Sequence, residues 1–152
     1  MKRPRIYVDT SVFGGCYDKE FAVESLKLFQ EIRSGKYILI VSQTTLLELE
    51  PAPDRVQKVM ADVPDTSIQK VILDAEGIAL RDAYIKTGIL TIDSEADAEH
   101  IALATIAQAD FLVSWNFKHI VHYDKINGFN AVNLLHGYKP IVIYSPKEVV
   151  II

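Results

Sequence analysis

The sequence predicts an α/β fold with a mostly parallel sheet between helices, and three observations predict it. Short β-branched and aromatic runs alternate with helix-period stretches along the whole chain. The first run, Arg5 to Val8, ends on the carboxylate Asp9, at the strand edge where an open α/β sheet presents its ligand crevice. The 152 residues, 49% hydrophobic and 24% charged, suit a single globular domain, 1–152, with one ordinary core.

Arg5 to Asp9 is the first strand, followed by a turn containing Gly14 and Gly15. Glu20 to Ser34 reads as helix through Phe21, Leu26, Leu28, Phe29 and Ile32, with Gly35 placed to stop it. Lys36 to Val41 is a buried strand. Ser42 to Glu50 turns back into helix, closed by Pro51 and Pro53. Asp54 to Gly88 holds two helical patterns separated near Pro64 to Ser67, the second running through Val71, Ile72, Ala75, Ile78, Ala79 and Ala83, so a helical hairpin laid on the sheet is expected.

Ser94 to Gln108 carries the clearest helix signal. Ser94 and Asp97 have the spacing of a capping box, and Ala98, Ile101, Ala102, Thr105 and Ala109 form an apolar stripe. Asp110 to Ser114 is the next strand, Phe117 to Lys125 a short helix, Asn127-Gly128 a turn, and Pro140 to Tyr144 the last strand. Alternation of this kind favours right-handed crossovers.

Composition removes several function classes. The one cysteine, Cys16, excludes an intrachain disulfide and a thiolate-rich zinc site, and fits a reducing, cytoplasmic setting. The apolar run after the basic Met-Lys-Arg-Pro-Arg start is too short for a signal peptide, and nothing approaches a membrane span. Sixteen Lys and Arg against twenty Asp and Glu give a net charge of −4. A general duplex-coating protein is usually basic, so any nucleic-acid contact is expected to be local, helped by metal ions or a small basic rim.

Three acids fall near strand-to-helix boundaries or in first helical turns: Asp9, Glu48 and Asp97. Asn116 follows the fourth strand on the same edge. Carboxylate oxygens suit Mg²⁺ or Mn²⁺, which keep several waters and are completed by substrate phosphate. Such a cluster polarises a phosphodiester and activates a bound water. The plainer roles are also open: Asp9 satisfying turn amides, Glu48 a solvated charge, Asp97 the partner of Ser94, Asn116 a helix cap.

Val-Asp-Thr-Ser-Val around Asp9, Thr-Thr-Leu-Leu-Glu-Leu around Glu48, Asp-Ala-Glu-His-Ile-Ala-Leu-Ala-Thr from Asp97, and Ala-Asp-Phe-Leu-Val-Ser-Trp-Asn-Phe-Lys-His-Ile from Ala109 resemble, in order, the four signature blocks of PIN-domain ribonucleases. The closing Pro-Ile-Val-Ile-Tyr-Ser-Pro-Lys-Glu-Val resembles the family's last strand and tail. The resemblance implies a three-layer α/β/α domain, a Mg²⁺- or Mn²⁺-dependent endoribonuclease cutting RNA. It carries Asp9, Glu48 and Asp97 onto the three family acids as metal ligands, and Ser114 onto the usual Thr or Ser. The departure is Asn116, where Asp is common; the amide removes one negative charge. Asp93, Glu95 and Glu99 are candidates to offset it. Many bacterial relatives of this size are toxins held by a small antitoxin, and homodimers are frequent. The alternative is a PIN-like module that binds RNA or protein without cutting.

Ser11, Ser114, Lys118 and His119 complete the expected site as substrate contacts, with His122 and Lys125 following at roughly helical spacing; a solvated helix face is the rival reading. His100 either lines the pocket or packs. Trp115 either stacks on an unpaired base or packs in the core, the latter favoured. Cys16 lacks partners to activate it as a nucleophile. A phosphatase using Asp9 as nucleophile is disfavoured because Ser11 stands where it needs an acid.

Overall fold

The computed structural model describes residues 2–151; Met1 and Ile152, the two ends of the expected domain, lie outside the described residues. Five strands, β1 (Arg5–Val8), β2 (Ile38–Ser42), β3 (Ile68–Val71), β4 (Phe111–Val113) and β5 (Ile143–Tyr144), form one sheet in the order β3-β2-β1-β4-β5. Every ladder is parallel, with Ile6 opposite both Leu39 and Phe111. The chain runs outward from β1 to β3, then returns to the other side of β1 for β4. The order therefore reverses between β1 and β4, which is where an α/β sheet opens its ligand crevice.

Alternation along the central strands builds two cores. Ile6, Val8, Leu39, Val41 and Val113 point to one face, where they meet α2 (Ala22–Arg33), the short α1 (Thr10–Gly15), α4 (Asp54–Ala61) and α8 (Pro146–Val149). Tyr7, Ile40 and Leu112 point to the other face, under α5 (Ala75–Lys86), α6 (Glu95–Ile106) and α7 (Tyr123–Leu135). These are the three layers expected from the sequence. A further helix, α3 (Gln43–Leu49), starts directly from β2, with the Ser42 side chain accepting the Thr45 N–H at 3.0 Å.

Four expectations need correction. The helical hairpin of 54–88 does not exist: β3 separates α4 from α5, and the two helices pack on opposite faces through Val56 and Val59 on one side and Leu80 and Tyr84 on the other. Val71 belongs to that strand. The Gly14-Gly15 segment is the end of α1 rather than a plain turn. Gly15 is required by close approach, since a Cβ there would sit 2.7 Å from Ser25 Oγ and 2.9 Å from Trp115 Nε1. Phe117 to Ile120 forms turns rather than helix. Asn127-Gly128 lies inside α7, where a Cβ on Gly128 would meet Ile89 at 3.1 Å.

No helix among the described residues is long and apolar enough to cross a membrane.

Candidate active site at the sheet switch point

The ends of β1 and β4 deliver the first part of the site. Asp9 extends the ladder by donating its N–H to Val113 O at 3.1 Å, then opens α1 as its N-cap residue. Its carboxylate makes no cap bond, so it does not serve the turn amides. It accepts instead from Ser11 Oγ at 2.5 Å on Oδ1 and from Ser114 Oγ at 2.8 Å on Oδ2. Only 4% of Asp9 is exposed. Burial raises its pKa, and the Asp97 charge adds to that; His100 and the two hydroxyls oppose the rise without cancelling it.

Asp97 stands in the first turn of α6. The expected capping box with Ser94 does not form, because residues Ile92–Ser94 make a 3-10 turn and the Ser94 side chain makes no cap bond. The Asp97 carboxylate is engaged elsewhere: Asn116 Nδ2 donates to Oδ1 at 3.1 Å, and His119 Nδ1 lies 3.1 Å from Oδ2. Asn116 uses both halves of its amide, since Oδ1 also accepts the His119 N–H at 2.9 Å. Its own N–H donates to Ser114 Oγ at 2.9 Å, so Asp97, Asn116, Ser114 and Asp9 form one connected set.

Glu48 is exposed on α3, yet its carboxylate is partnered. Its Oε1 accepts from Thr10 Oγ1 at 2.8 Å and lies 2.5 Å from His100 Nε2. Burial raises its pKa, but the contacts with His100 and Thr10 outweigh it and hold the group below the ordinary carboxylate value. His100 is buried; burial favours the neutral ring, and the Tyr7 oxygen with the Glu48 and Asp9 carboxylates overcomes this, raising its pKa well above the usual range.

The remaining expected residues divide. Ser11 and Ser114 touch Asp9, and His119 touches Asp97. Lys118 is exposed and makes no hydrogen bond or ion pair among the described residues. Lys125 is tied to Ile89 O at 2.9 Å, and His122 is the N-cap residue of α7. Glu95 and Glu99 are paired with Arg81, so neither offsets the missing charge at Asn116. Trp115 packs in the core, its ring stacked on Phe21 at 4.3 Å and its Nε1 donating to Ser25 Oγ at 2.8 Å. The buried Cys16 thiol is pushed up to about 11, which leaves it protonated and unreactive.

His100 and Thr10 are the neighbours of Glu48 that sequence reasoning undervalued. One signal was available for His100: a histidine among Ala98, Ile101 and Ala102 on a buried helix face must find polar partners.

Among the described residues no three His, Cys, Asp or Glu side chains gather into a ready metal cage. The donors nevertheless suit a hard cation. Asp9 and Asp97 offer oxygen only, and each oxygen accepts one bond and keeps lone-pair capacity. Mg²⁺ is commonly held by one or two carboxylates with waters and substrate phosphate. A cavity of about 630 Å³ opens at the opposite edge of the sheet beside Arg5, Gln108 and Lys139, and none of the candidate acids lines it.

A family model described as "PIN domain" matches residues 5–118. Two solved structures share the fold. VapBC2 from Rickettsia felis bound to a DNA fragment from their promoter aligns with a TM-score of 0.58 at 11% identity, covering 93% of this chain and 98% of that one. FitAcB from Neisseria gonorrhoeae aligns at 0.56 and 14% identity, with the same coverages. No curated protein matches by sequence.

Proposed function

The chain belongs to the PIN domain family, and we propose that it is a divalent-metal-dependent endoribonuclease whose ion is held by Asp9 and Asp97, with Glu48 completing the site. One observation carries this reading. A buried carboxylate, Asp9, is held at the switch-point crevice by two hydroxyls and sits close enough to Asp97 for the second charge to raise its pKa. Two like charges held together at a solvent-facing crevice are costly without a cation and useful with one. Bound Mg²⁺ or Mn²⁺ supplies charge neutralisation at a phosphodiester and a more acidic water. The chain's own part is to fix the carboxylates: Ser11 and Ser114 hold Asp9, while Asn116 and His119 hold Asp97. Lys118, exposed beside them, suits the RNA backbone, and half-exposed Phe117 suits an unpaired base.

The likeness in fold to VapBC2 and FitAcB supports a toxin role with a small antitoxin partner. Co-purification with the product of a short adjacent reading frame tests that partner separately.

The cleavage test uses total RNA with Mg²⁺ or Mn²⁺ and the parent beside Asp9→Asn. Metal-stimulated cleavage by the parent, lost in a folded Asp9→Asn variant, is the expected result. Equal cleavage by both overturns the assignment of Asp9. RNA binding without cutting in any divalent ion would favour a non-catalytic module, the reading to which the amide at Asn116 lends itself.

A further inference from the structure

The residues that fix Asp9 and Asp97 are accounted for above, whereas the group that holds Glu48 from behind has no assigned role. We propose that His100 is a positioning residue, held by Tyr7, which orients the Glu48 carboxylate and thereby sets the affinity of this site for its divalent ion. The inference rests on the nuclease reading through Glu48.

His100 lies one turn after Asp97 on α6 and is 2% exposed. Its Nδ1 is 2.6 Å from Tyr7 OH, and its Nε2 is 2.5 Å from Glu48 Oε1. The Tyr7 ring is fully buried and meets the imidazole edge-on, with centroids 5.6 Å apart. Tyr7 OH is also 2.7 Å from Ser42 Oγ, the cap of the helix that carries Glu48. Tyr7 itself stands two residues before Asp9. This one chain of contacts therefore joins β1, which leads directly into Asp9, to α3 and α6, which carry Glu48 and Asp97.

The proton on Nε2 is fixed by the chemistry of its partner. An ionised carboxylate only accepts, so Nε2 must donate to Glu48. With a neutral ring, Nδ1 accepts from Tyr7 OH and the phenol oxygen accepts from Ser42. With a charged ring, Nδ1–H donates to the phenol oxygen, and Tyr7 donates to Ser42. In both arrangements the donor facing Glu48 is the same, and the orientation does not depend on the ring's charge. Both donors to Glu48, Thr10 Oγ1 and His100 Nε2, fall on Oε1, while Oε2 accepts no hydrogen bond among the described residues. A carboxylate pinned by one oxygen presents the other in a fixed direction, which is how an outer partner tunes a metal site.

The test measures Mn²⁺ binding directly, by the loss of the free-ion electron paramagnetic resonance signal, alongside the melting temperature of each protein. His100→Leu is expected to weaken Mn²⁺ binding by about 10- to 100-fold, the usual effect of removing such a partner. His100→Gln, whose amide donates from nearly the same position, is expected to recover most of that loss. Tyr7→Phe deletes one hydroxyl at constant ring volume and is expected to weaken binding several-fold with little change in melting; it carries the test if His100→Leu does not fold. Parent-like Mn²⁺ affinity in folded Tyr7→Phe and His100→Gln together with either parent-like affinity in His100→Leu or its failure to fold overturns the proposal. So does a parent that binds no Mn²⁺. A parent that binds Mn²⁺ but cuts no RNA overturns the nuclease reading alone, because the variant-to-parent affinity ratio still tests His100.

Discussion

Replacing Asp9 by Asn is expected to stabilise the metal-free protein while removing its chemistry. The carboxylate is 4% exposed, and its pKa is raised by burial and by Asp97. For an acid whose folded pKa lies above the ordinary 3.8, the favourable contribution exists at low pH and is lost as pH rises through the folded value. In its ionised form Asp9 therefore works against folding. Asn keeps the shape. Ser11 and Ser114 remain anchored, because their oxygens also accept the Trp115 and Asn116 N–H groups at 3.0 and 2.9 Å. One hydroxyl must turn to accept from the new amide, a loss of about 1 kcal/mol or less. The net gain is expected to be about 1 kcal/mol, typical of relieving a strained functional position, or about 2–4 °C in melting temperature for a chain of this size. A divalent ion at a hundred times its dissociation constant stabilises the parent by about 2.7 kcal/mol, and the variant far less, so the order of melting reverses. Thermal melts in EDTA and across a Mg²⁺ titration check this. A parent that melts above the variant in EDTA, or equal Mg²⁺ increments in both, would refute the reasoning.

Asn116→Asp removes the amide donor to Asp97 and adds a like charge beside it. It is expected to lower metal-free stability by about 1–2 kcal/mol and to raise cleavage in saturating Mg²⁺; melting and cleavage rates check the two signs. The Glu48–His100 pair has its own pH window: Glu48 contributes above its ordinary 4.5 and loses that contribution as pH falls through its lowered folded value, and His100 contributes fully below 6.5 and loses it as pH rises through its raised one. The melting gap between parent and Glu48→Gln should thus be widest between about pH 4.5 and 6.5 and shrink in alkali; a gap that grows with pH contradicts the assignment. Gly15→Ala forces a methyl against Ser25 and the Trp115 indole, and is expected to cost about 1–3 kcal/mol in denaturant unfolding. Phe117→Ala, at a residue 48% exposed, is expected to weaken single-stranded RNA binding by about 1–3 kcal/mol without lowering stability, measured by titration at fixed salt.

The fold class and most strands were legible in the sequence, because apolar runs and period-3.6 stretches report burial directly. The sequence hid β3 for a physical reason. Ile68–Val71 is an edge strand with three half-buried positions and one exposed, so it lacks both the continuous apolar run of a central strand and a clean alternation. Its last residue, Val71, then blended into the helical pattern that follows. α1 was hidden because Thr-Ser-Val-Phe-Gly-Gly is a poor helix former, and burial of Val12 and Phe13 against the sheet overrides that propensity. The Ser94–Asp97 spacing suggests a local cap, yet Asp97 bonds with partners 19 and 22 residues away. Spacing alone cannot weigh those contacts, which exist only once β4 is in place beside β1.

Trp115 lies between Ser114 and Asn116, and its backbone N–H donates to the same Ser11 hydroxyl that holds Asp9. It is the only tryptophan in the chain. The protein therefore carries an intrinsic fluorophore two hydrogen bonds from the buried carboxylate, with its indole shielded from solvent by Phe21. Its emission offers a label-free optical readout of events at Asp9, free of background from any second indole.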